Sequence, residues 1–247
     1  MKWNSYKGGQ KWARLETGAI VSDSPPVPAF ASIVREPGVV EYRTKGDPST
    51  AWAALQDYGS AMREASRRFD VPVPVIFGMM AIEAKRQGAD RSHFDPRSLR
   101  LEPGYVSDEK TPNKVSPGLM QTLISTAREA NAKSGLYWDC GRSGIERLTR
   151  EDLFVPERSI MVGTAYMRMQ IDRKEPDEFG FDDDDPVLLC SAYNAGSVRE
   201  TSSNPWHLMT YGADRMDKFI AYHNDMVAVL AGVPVWVSAT ELPRCEK

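Results

Sequence analysis

A succession of amphipathic segments after Pro48 constrains the fold of this chain more than any other feature. The segment "STAWAALQDYGSAMREASRRF" carries apolar residues at helical spacing, with charges on its other side. The next, "VPVPVIFGMMAIEAKRQG", opens with a proline in its first turn and is expected to end near Gly88. "TAREANAKSG" has capping-box spacing and stops at Gly135. Three more helical segments follow, and one of them, "DPVLLCSAYNAG", has Asp185 as N-cap, Pro186 at the first helical position and Gly196 as its stop. No strand-rich block is expected, so the pattern predicts a mainly α domain.

The first 47 residues differ in composition and periodicity from the helical segments. The segment "SDSPPVPAFASIVREPGVVEYRTKGDP" is rich in proline and has no helical period, which predicts an irregular N-terminal arm over residues 1–47. We expect the helical domain to span residues 48–235 and a C-terminal tail to span residues 236–247. Attachment of the arm to a larger assembly and a poorly ordered terminus both stay open as interpretations.

Charge and composition limit which partners and which cellular compartment we expect for this chain. A net charge of −3 over 247 residues gives no basic excess, so no nucleic-acid partner is expected. The N-terminus lacks the apolar region of an export signal, and the longest apolar runs are too short for a bilayer. We therefore expect synthesis in the cytoplasm and no integral membrane segment. Cysteines and histidines lack metal-ligand spacing, so no cofactor is expected; Cys190 should be a buried thiol, and a disulfide between Cys140 and Cys245 stays open.

One carboxylate stands on an apolar helix face. Ile76, Met80 and Glu83 follow each other at i, i+4 and i+7, which predicts that Glu83 is buried. Desolvation raises the pKa of a carboxyl group, and a Glu that stays protonated near neutral pH can act as general acid toward a glycosidic oxygen. Helix periodicity alone equally allows Glu83 to pair with Arg86 or another cation.

The order of the motifs along the chain supports the hypothesis that Glu83 is a catalytic acid. After Glu83 come "HFDPRSLR", "GLMQT", "PERSIMVGTAYM", "SAYNAG" and "FIAYHNDMVAVL". Over residues 50–232 this succession resembles the SLT-type lytic transglycosylases, which belong to the lysozyme-like superfamily with the goose-type lysozymes. The resemblance implies a lysozyme-like helical fold with Glu83 as the catalytic residue. It further implies that five residues bind the glycan in a groove: Met120, Gln121, Tyr193, Asn194 and Tyr222.

The resemblance implies a peptidoglycan lytic transglycosylase. Such an enzyme cleaves the MurNAc-GlcNAc β-1,4 bond with a single Glu as general acid and base, and forms 1,6-anhydro-MurNAc. Leu123 stands where the goose-type lysozymes carry an Asp, which favours this reaction over hydrolysis. A muramidase that uses water, with Asp90, Asp95 or Asp108 as second carboxylate, is the first alternative. A non-catalytic peptidoglycan-binding protein is the second.

Two departures from the family pattern concern the segment after the catalytic Glu. Ala84 replaces the usual Ser, and the segment from Glu83 to Gly118 is longer than usual and begins with several basic residues. It is either a loop that meets the carboxylates of peptide stems or a solvated loop. Since no export signal is seen, a wall-cleaving activity would suit a phage lysin, a virion component or the cargo of a secretion assembly, with the N-terminal arm as the attachment.

Overall fold

The structure is a computed structural model, and it describes residues 1–46, 48–88, 91–136, 148–173 and 185–232. The expected C-terminal tail, Asp90, Cys140 and Cys245 lie outside these residues. The helices are α1 (Ser49–Phe69), α2 (Val73–Glu83), α3 (Ile124–Lys133), α4 (Arg150–Leu153), α5 (Pro156–Asp172), α6 (Pro186–Ala195) and α7 (Arg215–Gly232). The mainly α class is confirmed. None of the helices in the described ranges is long and apolar enough to cross a membrane.

The N-terminal segment is not irregular, and the expectation for residues 1–47 needs correction. Five strands form an antiparallel sheet in the order β1-β2-β3-β5-β4. They are β1 (Asn4–Ser5), β2 (Lys11–Arg14), β3 (Ile20–Ser22), β4 (Ala31–Glu36) and β5 (Val39–Arg43).

The short strands explain why the sequence concealed this sheet. All three residues of β3 are buried, with Ile20 in the main core and Val21 in a small cluster beside Ala13 and Val39. A strand that is buried on both faces shows no alternation of apolar and polar residues. The proline-rich stretch that suggested irregular backbone is the connection between β3 and β4.

Buried side chains of α7 fasten the sheet to the last helix, and Asn224 is one of them. Asn224 of α7 is fully buried, and its amide oxygen accepts a hydrogen bond from the backbone N–H of Ile20 at 2.7 Å. Its amide nitrogen donates to the carbonyl oxygens of Ile20 at 2.7 Å and Tyr42 at 3.0 Å. These three bonds join α7 to β3 and β5, so the N-terminal residues are part of the folded domain.

A second attachment lies at the start of α6. As expected for an N-cap, the Asp185 carboxylate accepts hydrogen bonds from the backbone N–H groups of Val187 and Leu188 at 2.9 and 3.1 Å. Its other oxygen accepts bonds from the side chains of Trp12 at 2.9 Å and Asn4 at 3.0 Å. The cap of α6 is thereby also a contact to β1 and β2.

The central helix of the core is α2. Every residue from Val75 to Ala81 is buried, so this helix is apolar on all sides rather than along one stripe. It packs closely on α7, because a Cβ added at Gly78 would lie 2.9 Å from the Phe219 ring. The helix ends at Glu83 and not near Gly88. Gly88, with a φ of 86°, instead starts the turn of a small hairpin.

The segment that follows α2 forms two small hairpins. One pairs β6 (Arg86–Gln87) with β7 (His93–Phe94), and the other pairs β8 (Leu99–Leu101) with β9 (Val115–Pro117). The next helix, α3, begins at Ile124 with Leu123 as its N-cap, so the capping box expected at Thr126 is not formed. The end of β9 leads directly into the Gly-Leu-Met-Gln turn.

Candidate active site

A cleft of about 630 Å³ lies where the C-terminal end of α2 meets the β8–β9 hairpin, α3 and α6. Four of the six predicted site residues line it, namely Glu83, Gln121, Tyr193 and Asn194. Met120 and Tyr222 are not among its lining residues. The structure therefore brings four of the predicted residues to one cleft, and their roles in binding and catalysis stay predictions.

Glu83 is the last residue of α2, and its side chain is 8% exposed. One of its carboxylate oxygens forms an ion pair with Nη2 of Arg215, whose side chain is 9% exposed. Burial raises the pKa of the Glu83 carboxyl group, while the charge of Arg215 and its hydrogen bond oppose this rise. The desolvation is the larger effect, so Glu83 holds its proton more tightly than an exposed Glu.

The cation beside Glu83 is Arg215 and not Arg86. Arg86 instead stacks between two rings, with its guanidinium carbon 4.2 Å from the centre of Phe94 and 4.8 Å from that of Tyr222. Arg215 is the first residue of α7, 132 positions from Glu83 in the sequence. No local pattern links two residues so far apart, so this partner could not be predicted from the sequence.

The Gly-Leu-Met-Gln turn brings Gln121 to the cleft. Gly118 has a φ of 83°, and a Cβ there would lie 2.0 Å from the carbonyl oxygen of Leu153, so only glycine fits. Gln121 also has a positive φ, of 46°. Its amide nitrogen donates hydrogen bonds to the carbonyl oxygens of Ser98 at 3.1 Å and Gly118 at 2.8 Å. Its amide oxygen takes no part in these bonds.

Met120 lies behind the cleft rather than in it, which corrects the expectation that it lines the groove. Its side chain is fully buried, and a Cβ added at Gly163 of α5 would lie 2.5 Å from the Met120 Cβ. Its backbone N–H donates to Ser159 Oγ at 3.1 Å, and its carbonyl oxygen accepts from the Tyr193 hydroxyl at 2.9 Å. Met120 therefore holds the turn in place from the core side.

The helix α6 contributes the opposite wall. The Tyr193 hydroxyl lies 2.9 Å from Thr122 Oγ1, and the ring centre of Tyr193 is 5.0 Å from that of Tyr166. Burial raises the pKa of the Tyr193 hydroxyl far above its usual range. Tyr193 is thus both a core aromatic and a cleft residue. Asn194 accepts a hydrogen bond from the Tyr211 backbone N–H at 2.6 Å, which leaves its amide nitrogen as a donor.

Tyr222 belongs to a separate cluster, which corrects its assignment to the groove. Its ring packs edge-on against Phe77 with centres 6.2 Å apart, and Arg86 lies over it. Tyr222 lies about two helical turns after Arg215 on the same face of α7, where Arg86 of β6 lies over its ring. Tyr222 supports the region behind Glu83 without bordering the cleft.

The hairpin β8–β9 supplies Arg100, one of the basic residues of the long segment after Glu83, and Glu102, which the sequence did not single out. Arg100 and Glu102 line the cleft, and Arg100 Nε lies 3.9 Å from Glu102 Oε1. The carboxylates considered earlier are engaged elsewhere: Asp95 accepts a bond from the backbone of its own turn, and Asp108 pairs with Arg150 at 2.5 Å. Among the residues that the structure describes, Glu102 is the second carboxylate that lines the cleft.

Within the described part of the chain, no group of three or more His, Cys, Asp or Glu side chains could hold a metal ion. Cys190 is a free, buried thiol.

Residues 60–205 match the family model described as the transglycosylase SLT domain. The chain belongs to this family.

Similarity to individual proteins is more distant. The X-ray structure of an inactive mutant of the lytic transglycosylase Slt from Pseudomonas aeruginosa is similar to this chain, with 15% sequence identity and a TM-score of 0.41. The match covers 70% of this chain and 24% of that one, so the chain spans less than a quarter of the length of that relative. No curated protein matches the sequence significantly.

Proposed function

We propose that the chain is a lytic transglycosylase that cleaves the MurNAc-GlcNAc β-1,4 bond of peptidoglycan, with Glu83 as its only acid and base. Membership of the SLT family supports the reaction class and the peptidoglycan substrate. The observation that carries the assignment of Glu83 is its location: a desolvated carboxyl group on the wall of the cleft. Such a group can hold a proton near neutral pH and deliver it to a bound substrate.

The reaction has two proton transfers. The protonated Glu83 donates its proton to the glycosidic oxygen as the bond to C1 of MurNAc breaks, and the GlcNAc alcohol leaves. The Glu83 carboxylate then takes the proton of the C6 hydroxyl of the same MurNAc. The C6 oxygen bonds to C1 and closes the 1,6-anhydro ring, so no water is consumed and Glu83 ends protonated again.

Two amide side chains are suited to bind the glycan beside the acid. The Gln121 amide nitrogen is held by two backbone carbonyls, which fixes the direction of the amide oxygen. The Asn194 amide oxygen is held by a backbone N–H, which fixes its amide nitrogen as the donor. One preset acceptor and one preset donor on facing walls match the hydroxyl and N-acetyl groups of amino sugars.

Hydrolysis of the same bond is the second candidate, and Glu102 is the observation that favours it. A muramidase needs a second carboxylate to activate water or to act as nucleophile. Glu102 lines the same cleft as Glu83, and its side chain is 45% exposed.

Mass spectrometry of the fragments released from purified sacculi tests both candidates. Wild type, Glu83→Gln and Glu102→Gln are compared at equal concentration. The transglycosylase predicts anhydro-muramyl ends, one water lighter than hydrolytic products, from wild type and Glu102→Gln and none from Glu83→Gln. Reducing muramyl ends that disappear in Glu102→Gln would establish the muramidase. Release of no fragments by wild type, with retained binding to sacculi, would leave the peptidoglycan-binding protein.

The route of delivery to the wall, by a phage or a secretion assembly, stays a prediction.

A further inference from the structure

The contact between Glu83 and Arg215 is the most confined charge pair of the described residues around the cleft. Both side chains are less than a tenth exposed. The Arg215 Nη2 bonds to Glu83, and the buried Arg215 Nε has no hydrogen-bond partner. A buried guanidinium that leaves a donor unsatisfied is costly for the fold. Such a cost is common where a group is kept for function rather than for stability.

We propose that Arg215 is a positioning residue that orients the Glu83 carboxyl group toward the cleft and sets the pH range in which this group keeps its proton. This inference rests on the proposed function of Glu83. Arg215 lies beyond residues 60–205, so the match to the family model assigns no role to this residue.

Among the described residues, the charged or titratable groups around Glu83 come from three elements. Arg215 lies on α7, Cys190 and Tyr193 lie on α6, and Arg100 and the cleft carboxylate Glu102 lie on the β8–β9 hairpin. Burial raises the pKa values of the Cys190 thiol, to about 12, and of the Tyr193 hydroxyl, so both groups stay neutral while Glu83 titrates. The two arginines are therefore the positive charges that lower the pKa of Glu83.

The two arginines differ in how strongly they act. The Arg215 side chain is 9% exposed and touches the carboxylate, whereas the Arg100 side chain is 61% exposed. Solvent screens the charge of an exposed side chain but hardly screens a buried contact. Arg215 should consequently dominate, and Arg100 provides a matched comparison of the same residue type.

The reaction gives the pair a role in both steps. The acid step needs a protonated Glu83, which burial favours. Proton donation then leaves a carboxylate, and Arg215 stabilises that carboxylate before it acts as base. Loss of Arg215 would make Glu83 a weaker acid in the first step, and its carboxyl group would lose its fixed direction.

The sign of the pH effect follows. Cleavage declines as pH rises through the pKa of Glu83, because the acid is then lost. A positive neighbour lowers that pKa, so its removal raises the pKa and moves the declining limb of the pH profile to higher pH. For a carboxylate beside an arginine the shift is about one to two pH units.

The test measures kcat and KM for release of anhydro-muramyl fragments from soluble glycan strands between pH 4 and pH 9. The variants are Arg215→Met, Arg215→Lys and Arg100→Met, and thermal unfolding of each is recorded. We expect Arg215→Met to lower kcat about tenfold, to change KM little and to move the limb upward by about one to two pH units. Arg215→Lys keeps the limb near its wild-type position, and Arg100→Met moves it by less than half as much.

If Arg215 had only a structural role, Arg215→Met would lower activity equally at every pH. A declining limb that does not move in a folded Arg215→Met would overturn the proposal. If Arg215→Met does not fold, Arg215→Gln takes its place with the same criteria.

A second measurement separates this proposal from the proposed function. Carbon-13 NMR of the labelled Glu83 side-chain carboxyl, assigned with Glu83→Gln, gives its titration without any substrate. A higher titration midpoint in Arg215→Met than in wild type supports the link even if wild type releases no fragments, whereas identical midpoints refute it. Absence of fragments from wild type refutes the proposed function alone.

Discussion

Replacement of Asn224 by Leu tests whether the N-terminal sheet is part of the folded domain. Asn224 makes three hydrogen bonds to the backbone of Ile20 and Tyr42, at 2.7, 2.7 and 3.0 Å, and is fully buried. Leucine has a similar size but cannot bond to these groups. One N–H and two carbonyl oxygens would lose the Asn224 partner inside the protein.

The magnitude follows from the number of bonds. A protein hydrogen bond contributes about 1 kcal/mol net, and a buried group left unpaired costs about 1–3 kcal/mol. Partial relaxation reduces the sum, so we expect the free energy of unfolding to fall by about 3 kcal/mol. For a chain of this size, that change lowers the Tm by roughly 6–12 °C.

The chain offers a matched control in Asn131 of α3. This side chain is also buried, at 4% exposure, but its amide oxygen has no hydrogen-bond partner among the described residues. Asn131→Leu should leave stability nearly unchanged. Thermal unfolding and urea titration followed by circular dichroism compare the two variants. An equal change in Tm for both, or a decrease of less than about 2 °C for Asn224→Leu, would refute the account of the sheet as an integral part.

Three further variants test the site and the core. Gly163→Ala should reduce both kcat and Tm, at a cost of about 1–3 kcal/mol, because its Cβ would lie 2.5 Å from that of Met120; unchanged kinetics would contradict the role of Met120 in holding the turn. Tyr193→Phe removes the hydroxyl that bridges Thr122 and the Met120 carbonyl, so unfolding titrations should show a loss of about 1–2 kcal/mol together with slower cleavage. Burial lowers the pKa of His223 from 6.5 to about 4, so the unfolded chain binds this proton first as pH falls. The free energy of unfolding should therefore drop by about 3 kcal/mol between pH 6.5 and 4. In urea titrations, His223→Gln should lack this part of the pH dependence.

The sequence predicted the parts of the fold that depend on local chemistry. Helical periodicity located α1, and the Asp–Pro start with its glycine stop located α6. Helical periodicity also predicted that Glu83 lies on a buried helix face. The resemblance of the motifs predicted that Gln121 lies in the same cleft as Glu83. In each case a few neighbouring residues carry the signal.

The errors arose where side chains serve a contact far away in the chain. Met120 is next to Gln121 in sequence, but it points to Gly163 because the turn alternates between core and cleft. The strand β3 is apolar on both sides because α7 covers one face. Periodicity reports which residues are buried, and it does not report what buries them.

The helix α7 connects the two features that the sequence did not predict. Its first residue, Arg215, forms the ion pair with Glu83, and Asn224 further along the same helix bonds to the N-terminal sheet. Both the sheet and α7 lie outside the matched residues 60–205. Arg215 meets Glu83 at the start of α7, and Asn224 bonds to the sheet near the middle of the same helix. Loosening the sheet by Asn224→Leu should therefore also weaken the Glu83–Arg215 contact. The declining limb of the pH profile should then move to higher pH in this variant, as in Arg215→Met but by a smaller amount. An unmoved limb in a folded Asn224→Leu would mean that α2 alone holds α7 in register.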